Sequence, residues 1–202
     1  YGINISSGTG TSNVQISNNL IYDIITDGNS VSVTSNNPFG IRIIGGTNHK
    51  IYYNTVNMYG SFTDVTTADM SAALIITNAT ATGIDVRNNI FANSMTGGAG
   101  TKCYSIYVPT GTTFGTINNN DYYASGTNGV LGYYGADKTT LGDWVFASGG
   151  DANSKSINPE FFSNTDLRPA LGSGVLGAGA TGTGITIDYL GTARSLTSPS
   201  MG

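Results

Sequence analysis

One short phrase returns four times along the chain, and it constrains the fold more than any other feature. Each copy has an apolar residue, two variable residues, an asparagine, one further variable residue and a second apolar residue. Successive asparagines are 35, 35 and 31 residues apart, and they are Asn19, Asn54, Asn89 and Asn120. A period in this range is typical of a solenoid, in which each repeat forms one coil stacked on the next.

The columns of this repeat predict the local structure. The apolar residues are Ile16, Ile51, Val86 and Ile117 before the asparagine, and Ile21, Val56, Phe91 and Tyr122 after it. Apolar positions of period 2 around an asparagine predict a strand, a tight bend and a second strand, because asparagine tolerates positive φ. Stacking would place the asparagines about 4.8 Å apart, so that their amides form a hydrogen-bonded ladder. We therefore predict an all-β fold, a right-handed parallel β-helix solenoid with an asparagine ladder.

Composition is consistent with one large domain made of short strands. The chain has 202 residues, of which 10% are charged and 29 are glycine, and its formal net charge is −4. Only eight lysines and arginines are present, which argues against a nucleic-acid or anionic-membrane partner. No apolar run is long enough to predict a membrane span.

The repeat stops near residue 125 and a different pattern follows. We predict parallel β-helix coils over 1–125 and a closing segment over 126–202, with a short helix near 140–148 and final strands packed on the same solenoid. Thr140 followed by Asp143 indicates the helix start, and Trp144 is expected to pack on the coils. In the Gly-rich C-terminal tail, 184–188 is the best strand. Further predictions are a turn at 27–29, a strand at 31–33 and a specificity loop at 61–71.

The coils and the closing segment carry a resemblance to a known family. Residues 1–125 resemble the right-handed parallel β-helix superfamily, often called pectin-lyase-like. The closing segment is similar to the ends of such domains in large secreted bacterial surface proteins, on the residues Leu141, Trp144, 151–154, 158–161, 166–168, 172–173, 187–194 and 199–202. The resemblance implies an extracellular or cell-surface location, and the start at Tyr1, in mid-coil, is expected of a piece of a longer protein. Because β-helices host lyases, hydrolases, adhesins and stalks, the resemblance implies no single activity.

The ionisable residues do not predict a catalytic site. A polysaccharide lyase of this fold needs carboxylates that hold Ca²⁺ beside a basic residue, but no two adjacent repeats place acids in one aligned column, so calcium is unsupported and no cofactor or metal ligand is predicted. Lys50 and Asp85 are expected to form a surface ion pair on successive coils. The Asn-Thr-Asp, Asp-Asp and Gly-His-Gly phrases of a polygalacturonase-type glycosidase are not present in a catalytic arrangement. His49 is predicted to be a hydrogen-bonded core or turn residue, and Cys103 a small core residue.

Aromatic side chains are the remaining indication of binding. Exposed tyrosines can stack on sugars, and the possible carbohydrate contacts are Tyr52, Tyr59 and Tyr107. Tyr122 instead falls in the inward column. No catalytic residue is predicted.

Two functions remain open at this point. The first is a non-catalytic extracellular structural or adhesive module, which stacks end to end into a filament or forms part of a larger surface protein. Its partners would be copies of itself, neighbouring domains or a polysaccharide. The alternative is a polysaccharide lyase or glycoside hydrolase that acts on an acidic or plant-type polysaccharide. Binding without cleavage would separate the two.

Overall fold

In the part of the chain that the structure describes, strands continue to residue 138, and one helix and a long tail follow. The computed structural model describes residues 1–8, 10–26, 28, 34, 37–62 and 69–202. The predicted strand at 31–33, most of the turn at 27–29 and positions 63–68 of the predicted loop lie outside the described residues. Within the described part, the all-β prediction with one short helix is confirmed, and that helix is α1 (Leu141–Ser148).

The described strands form three sheets, and each sheet takes every third strand, except that sheet A also includes β14 next to β13. Sheet A has the order β1 (Ile3–Ser6), β4 (Phe39–Ile44), β7 (Met70–Ile76), β10 (Lys102–Val108), β13 (Gly129–Tyr134) and β14 (Asp137–Lys138). Sheet B has the order β2 (Gln15–Ser17), β5 (Lys50–Tyr52), β8 (Thr82–Arg87) and β11 (Thr113–Asn118). Sheet C has the order β3 (Leu20–Tyr22), β6 (Thr55–Met58), β9 (Ile90–Asn93) and β12 (Asp121–Ala124). All pairings between these strands are parallel except that of β14 with β13.

The chain therefore visits sheets A, B and C in rotation, and we term each such passage a coil. The register follows the sequence repeat, since Ile16 pairs with Ile51 and Ile51 pairs with Val86. In the next coil Val86 pairs with Ile117. Equivalent residues of the repeated phrase thus lie one above the other.

The main core lies between the three sheets and consists of rows of equivalent apolar side chains. Ile41, Leu74 and Ile106 are register partners in sheet A, and each is fully buried. Val56 and Phe91 form the corresponding row in sheet C. Because parallel strands present the same side at each level, one apolar column in the sequence becomes one continuous row in the core.

The tight bend between sheets B and C corrects one part of the prediction. Its left-handed residue is the one before the repeated asparagine: Asn18, Tyr53, Asn88 and Asn119 have φ values of 59°, 53°, 63° and 55°. Positive φ is most accessible to glycine and asparagine, so three of the four bends have a suited residue and Tyr53 is the exception.

The segment after residue 125 adds a strand to sheet A, where β13 pairs with β10 over Gly129–Tyr134. The predicted tail strand at 184–188 is wrong, since only an isolated bridge from Ile187 to Ala193 occurs there. Left-handed glycines at 182, 184 and 191 interrupt the extended backbone that a strand requires.

Helix α1 forms where the sequence predicts it. Thr140 is its N-cap, and the Thr140 side chain accepts a hydrogen bond of 3.1 Å from the backbone N–H of Asp143. Trp144 is fully buried against Gly132, where an added Cβ would lie 2.8 Å from the indole ring. The absence of a side chain at Gly132 therefore allows the helix to pack on β13. Nowhere in the described ranges is a helix both long enough and apolar enough to cross a bilayer.

Candidate functional site

The four repeated asparagines are joined by hydrogen bonds along the stack. The Nδ2 of Asn19 donates to Oδ1 of Asn54 at 2.8 Å, Asn54 donates to Asn89 at 3.0 Å, and Asn89 donates to Asn120 at 2.9 Å. The backbone N–H of each donor asparagine bonds the same oxygen, at 3.2, 2.9 and 3.0 Å respectively. Asn54, Asn89 and Asn120 are buried, and the bonds from one asparagine to the next all point in one direction.

The ladder ends at Asp151 and Ser154, which follow α1. The Asn120 backbone N–H donates to Oγ of Ser154 at 2.9 Å, and its Nδ2 donates to Oδ1 of Asp151 at 3.2 Å. Asp151 also accepts hydrogen bonds from Trp144 Nε1 at 2.6 Å, from the Tyr122 hydroxyl at 2.9 Å and from Ser154. Burial raises the pKa of Asp151, and the four donors oppose that effect. A carboxylate and a hydroxyl thus replace the next asparagine and join α1 to the ladder.

A second line of hydrogen bonds runs along the outside of the bend, and the C-terminal tail forms these bonds. Asn119 donates to the Ala178 carbonyl at 3.0 Å, and Asn88 both donates to and accepts from the Ala180 backbone at 2.7 Å. Asn18 donates to the Ile187 carbonyl at 2.9 Å. Residues 178–194, which we term the strap, therefore run back from the fourth coil to the first.

Arg194 fixes the end of the strap. Its guanidinium donates to Oδ1 of Asn18 at 2.9 Å and to the Gly202 carbonyl at 3.0 Å, and it lies 3.8 Å from the ring centre of Tyr53. The Tyr53 hydroxyl donates to the Ala180 carbonyl at 3.2 Å. These contacts hold a tyrosine at the bend position that asparagine occupies in the other coils.

Tyr52, one of the three tyrosines considered for carbohydrate contact, is a poor candidate. It is only 2% exposed, its hydroxyl donates to Asp85 at 2.6 Å, and the Arg87 guanidinium covers its ring at 5.1 Å. The expected Lys50–Asp85 ion pair is also replaced. Although those two residues are register partners, both oxygens of Asp85 bond to Arg87, at 2.7 Å.

Tyr59 and Tyr107 lie apart from Tyr52 and from each other. Tyr59 follows β6 of sheet C and donates to Asp23 at 3.0 Å, whereas Tyr107 is in β10 of sheet A. One face of the Tyr107 ring is stacked on Tyr133, with 4.4 Å between ring centres. The three tyrosines do not form one surface.

A polar cleft on the outer face of sheet C is the best candidate binding site. Its volume is about 560 Å³, and it lies between the sheet and residues 158–164. The lining groups are mostly hydroxyls and amides: Asn57, Ser94, Tyr123, Ser125, Asn158 and Asn164. The Asn57 amide donates to the Asn164 carbonyl at 3.2 Å, which ties the loop to the sheet.

The cleft is also nearly free of charge among the residues that line it. Of the described residues that line it, Glu160 is the only carboxylic acid, and none is a lysine or an arginine. Tyr123 and Phe161 add aromatic surface. Amides, hydroxyls and aromatic rings together suit a neutral ligand that carries many hydroxyl groups. The sequence did not identify this site, because the loop that closes it lies outside the repeat.

His49 and Cys103 are core residues, as the sequence predicts. His49 is fully buried and its Nε2 lies 3.1 Å from the Gly45 carbonyl. Cys103 belongs to the main core, and burial raises the pKa of its thiol to about 11, so the thiol is protonated at neutral pH. Within the described ranges, no three His, Cys, Asp or Glu side chains come together as a group that could hold a metal ion.

Comparison of the chain with protein-family models, with curated proteins and with solved structures finds no match.

Proposed function

We propose that the chain is a right-handed parallel β-helix and that it acts as a non-catalytic structural and adhesive module at an extracellular or cell surface. The observation that carries this proposal is the rotation of the chain through three parallel sheets with a continuous asparagine ladder. A right-handed connection is the usual solution for parallel strands joined in this way. The resulting rod is stiff because each coil is bonded to both neighbours.

The positions of the acids favour a structural role over catalysis. Glycoside hydrolysis requires two carboxyl groups on either side of the scissile bond. Here Asp85 binds Arg87, and Asp137 binds Lys102 at 3.0 Å. Asp151 accepts hydrogen bonds from Asn120, the last asparagine of the ladder, and from Trp144. These acids stabilise separate parts of the fold, and Glu160 is the one carboxylic acid among the described residues that line the polar cleft.

The adhesive part of the proposal places a neutral glycan in the polar cleft. Tyr123 would stack on a sugar ring, while Asn57 and Ser94 would bond its hydroxyl groups. This assignment replaces the three tyrosines that the sequence indicated, because those lie on separate surfaces.

A glycan array, paired with an assay for released reducing ends, tests the proposal. Tyr123→Ala should weaken binding of retained neutral glycans by about fivefold or more, since truncation of a central aromatic contact costs over about 1 kcal/mol. Tyr22→Ala is the matched control, because Tyr22 lies in the same outward column of sheet C but outside the cleft. Equal losses in both variants would contradict the cleft assignment. Release of reducing ends by the wild-type chain would contradict the non-catalytic role.

A further inference from the structure

The two ends of the asparagine ladder are chemically different. At one end, the donors of Asn120 are satisfied by Asp151 and Ser154. At the other end, Asn19 donates to Asn54 and to the Ser17 carbonyl, but no hydrogen bond from a described residue reaches its Oδ1. In every later rung this oxygen accepts two hydrogen bonds from the preceding asparagine. The ladder therefore ends in an acceptor at the first coil.

A third bond is also missing at Asn19. The Nδ2 of Asn54 donates to the Ile16 carbonyl of the preceding coil at 3.0 Å, and Asn89 donates in the same way to the Ile51 carbonyl at 2.8 Å. Asn120 repeats the contact with the Val86 carbonyl at 2.9 Å. A coil placed before the first would supply an equivalent carbonyl for Asn19.

The surface around Asn19 has the other properties of an interface between coils. The strands β1, β2 and β3 lie at the ends of their sheets, and no described strand pairs with their outer edges. Ile3, Ile5 and Val14 pack on the main core but remain partly exposed, whereas Ile41 and Ile43, the register partners of Ile3 and Ile5, are fully buried. This face thus combines unpaired strand edges, apolar rows and a ladder acceptor.

We propose that the face formed by the outer edges of β1, β2 and β3 binds one further parallel coil, whose asparagine donates its backbone and side-chain N–H groups to Oδ1 of Asn19. The inference rests on the parallel coil architecture proposed above. It identifies the neighbour of the module as a coil with a donor in the ladder column. Exposed strand edges are effective templates for such pairing.

A second copy of this chain does not have the required chemistry at either end. In a head-to-tail arrangement the approaching end carries α1 together with Asp151, whose carboxylate is an acceptor and would face the acceptor of Asn19. In a head-to-head arrangement one Asn19 oxygen would face the other. Both arrangements lack donors, so the occupant is a coil that ends in a free asparagine amide.

A fusion that adds one coil tests this inference on the full chain. Ile3, Ile41, Leu74 and Ile106 are equivalent in sheet A, so Tyr1 is equivalent to Tyr104. A second copy of residues 70–103 joined directly before Tyr1 therefore continues the register, and it brings its own ladder asparagine. The matched control has Asn89→Asp in the added copy only, which keeps the shape and the backbone N–H but replaces the side-chain donor with an acceptor.

Amide hydrogen exchange of the added strands measures how firmly the extra coil is held. We expect exchange at neutral pH to be roughly fivefold or more slower in the asparagine fusion than in the aspartate fusion, which corresponds to one hydrogen bond. Equal protection in both fusions would overturn the inference and leave the coil architecture standing. Lack of protection in both would contradict the architecture as well. Sedimentation of the unfused chain should show one mass. A concentration-dependent doubling would identify a second copy of the chain as the occupant and would overturn the assignment of a coil with a free asparagine amide.

Discussion

Asp121 is a carboxyl group in an environment that disfavours its charge. It is fully buried at the start of β12, where its equivalents in the other coils are Leu20, Thr55 and Ile90. One oxygen accepts the Ile157 backbone N–H at 3.0 Å, and the other has no hydrogen-bond partner among the described residues. Burial raises the pKa of this carboxyl to about 7, although the Ile157 N–H and the charge of Lys155 oppose the shift.

This shift predicts that Asp121 destabilises the fold as pH rises. The folded state retains a proton up to a pKa of about 7, whereas the unfolded chain releases it near 4, so the stability present below pH 4 is lost between pH 4 and 7. Asp121→Asn keeps the acceptor for Ile157 and cannot ionise. We expect it to exceed the wild type by about 2–4 kcal/mol in free energy of unfolding at pH 8, and to match it at pH 4. Urea unfolding at the two pH values measures this, and a constant difference would refute it.

The asparagines show how far residue-level reasoning reaches. The repeat correctly placed the inward amides in a row. Identical polar residues that recur between apolar columns need hydrogen-bond partners in the core, and stacked amides are partners for one another. It assigned the bend to Asn89 and its equivalents instead of Asn88, since two asparagines are adjacent in most copies. Only backbone geometry separates an outward left-handed residue from an inward ladder residue. Tyr53, which breaks the pattern, is held by contacts with Arg194 that lie far away in sequence.

At the scale of elements, α1 depends on tertiary contacts more than on its own sequence. The helix has eight residues, which is too short for independent stability in water. Trp144 is the buried residue of α1, and it donates a hydrogen bond to Asp151. The centre of the Trp144 ring lies 5.8 Å from that of Tyr122. The sequence predicted the helix from its capping pattern, but the bond to the ladder end depends on residues after the helix.

Trp144→Phe tests this attachment of α1 to the coils. The change removes the indole N–H that bonds Asp151 and leaves a small gap beside Gly132. We expect a loss of about 2 kcal/mol in free energy of unfolding, measured by urea titration. Phe146→Ala is the control on the same helix, because Phe146 is 92% exposed and its removal should cost less than about 0.5 kcal/mol. Similar losses in both variants would show that α1 is stabilised by something other than the Trp144 contact.

The strap is the element that the sequence predicted least well. Its Gly-rich composition and alternating residues at 184–188 suggested a strand, yet it bonds mostly through backbone carbonyls and amides to side chains at the bend. Such contacts leave no periodic pattern in the strap itself. The sequence did not predict the polar cleft for the same reason. Its loop at 158–164 is held by the hydrogen bond from Asn57 to Asn164 and does not belong to the repeat.

For the whole molecule, the repeat spacing predicts more than any single residue does. The spacings of 35, 35 and 31 residues set the register of sheets B and C. Sheet A departs from them, since Ile3 pairs with Ile41, Ile41 with Leu74 and Leu74 with Ile106. The corners between strands, the strap and the cleft vary from coil to coil, so they escape a prediction that depends on repetition. Stability in such a stack is expected to be nearly a sum over coils and their interfaces.

Removal of one coil is the sharpest test of that additivity. Leu74 and Ile106 are register partners, so deletion of residues 74–105 joins Ala73 to Ile106 and preserves the inward and outward sides of the sheet. We expect this chain to fold with a lower melting temperature, an unchanged far-ultraviolet dichroism per residue and a Trp144 fluorescence like that of the parent, because the capped end stays intact.

Deletion of residues 74–104 is the matched control for this coil removal. It is one residue shorter and joins Ala73 to Ser105, which turns every following side chain of the strand to the opposite face. We expect this second chain not to fold, since its apolar rows would face water. If both deletions unfold the protein, the coils act as one indivisible unit. If both fold equally well, register along the stack is not what holds the coils together.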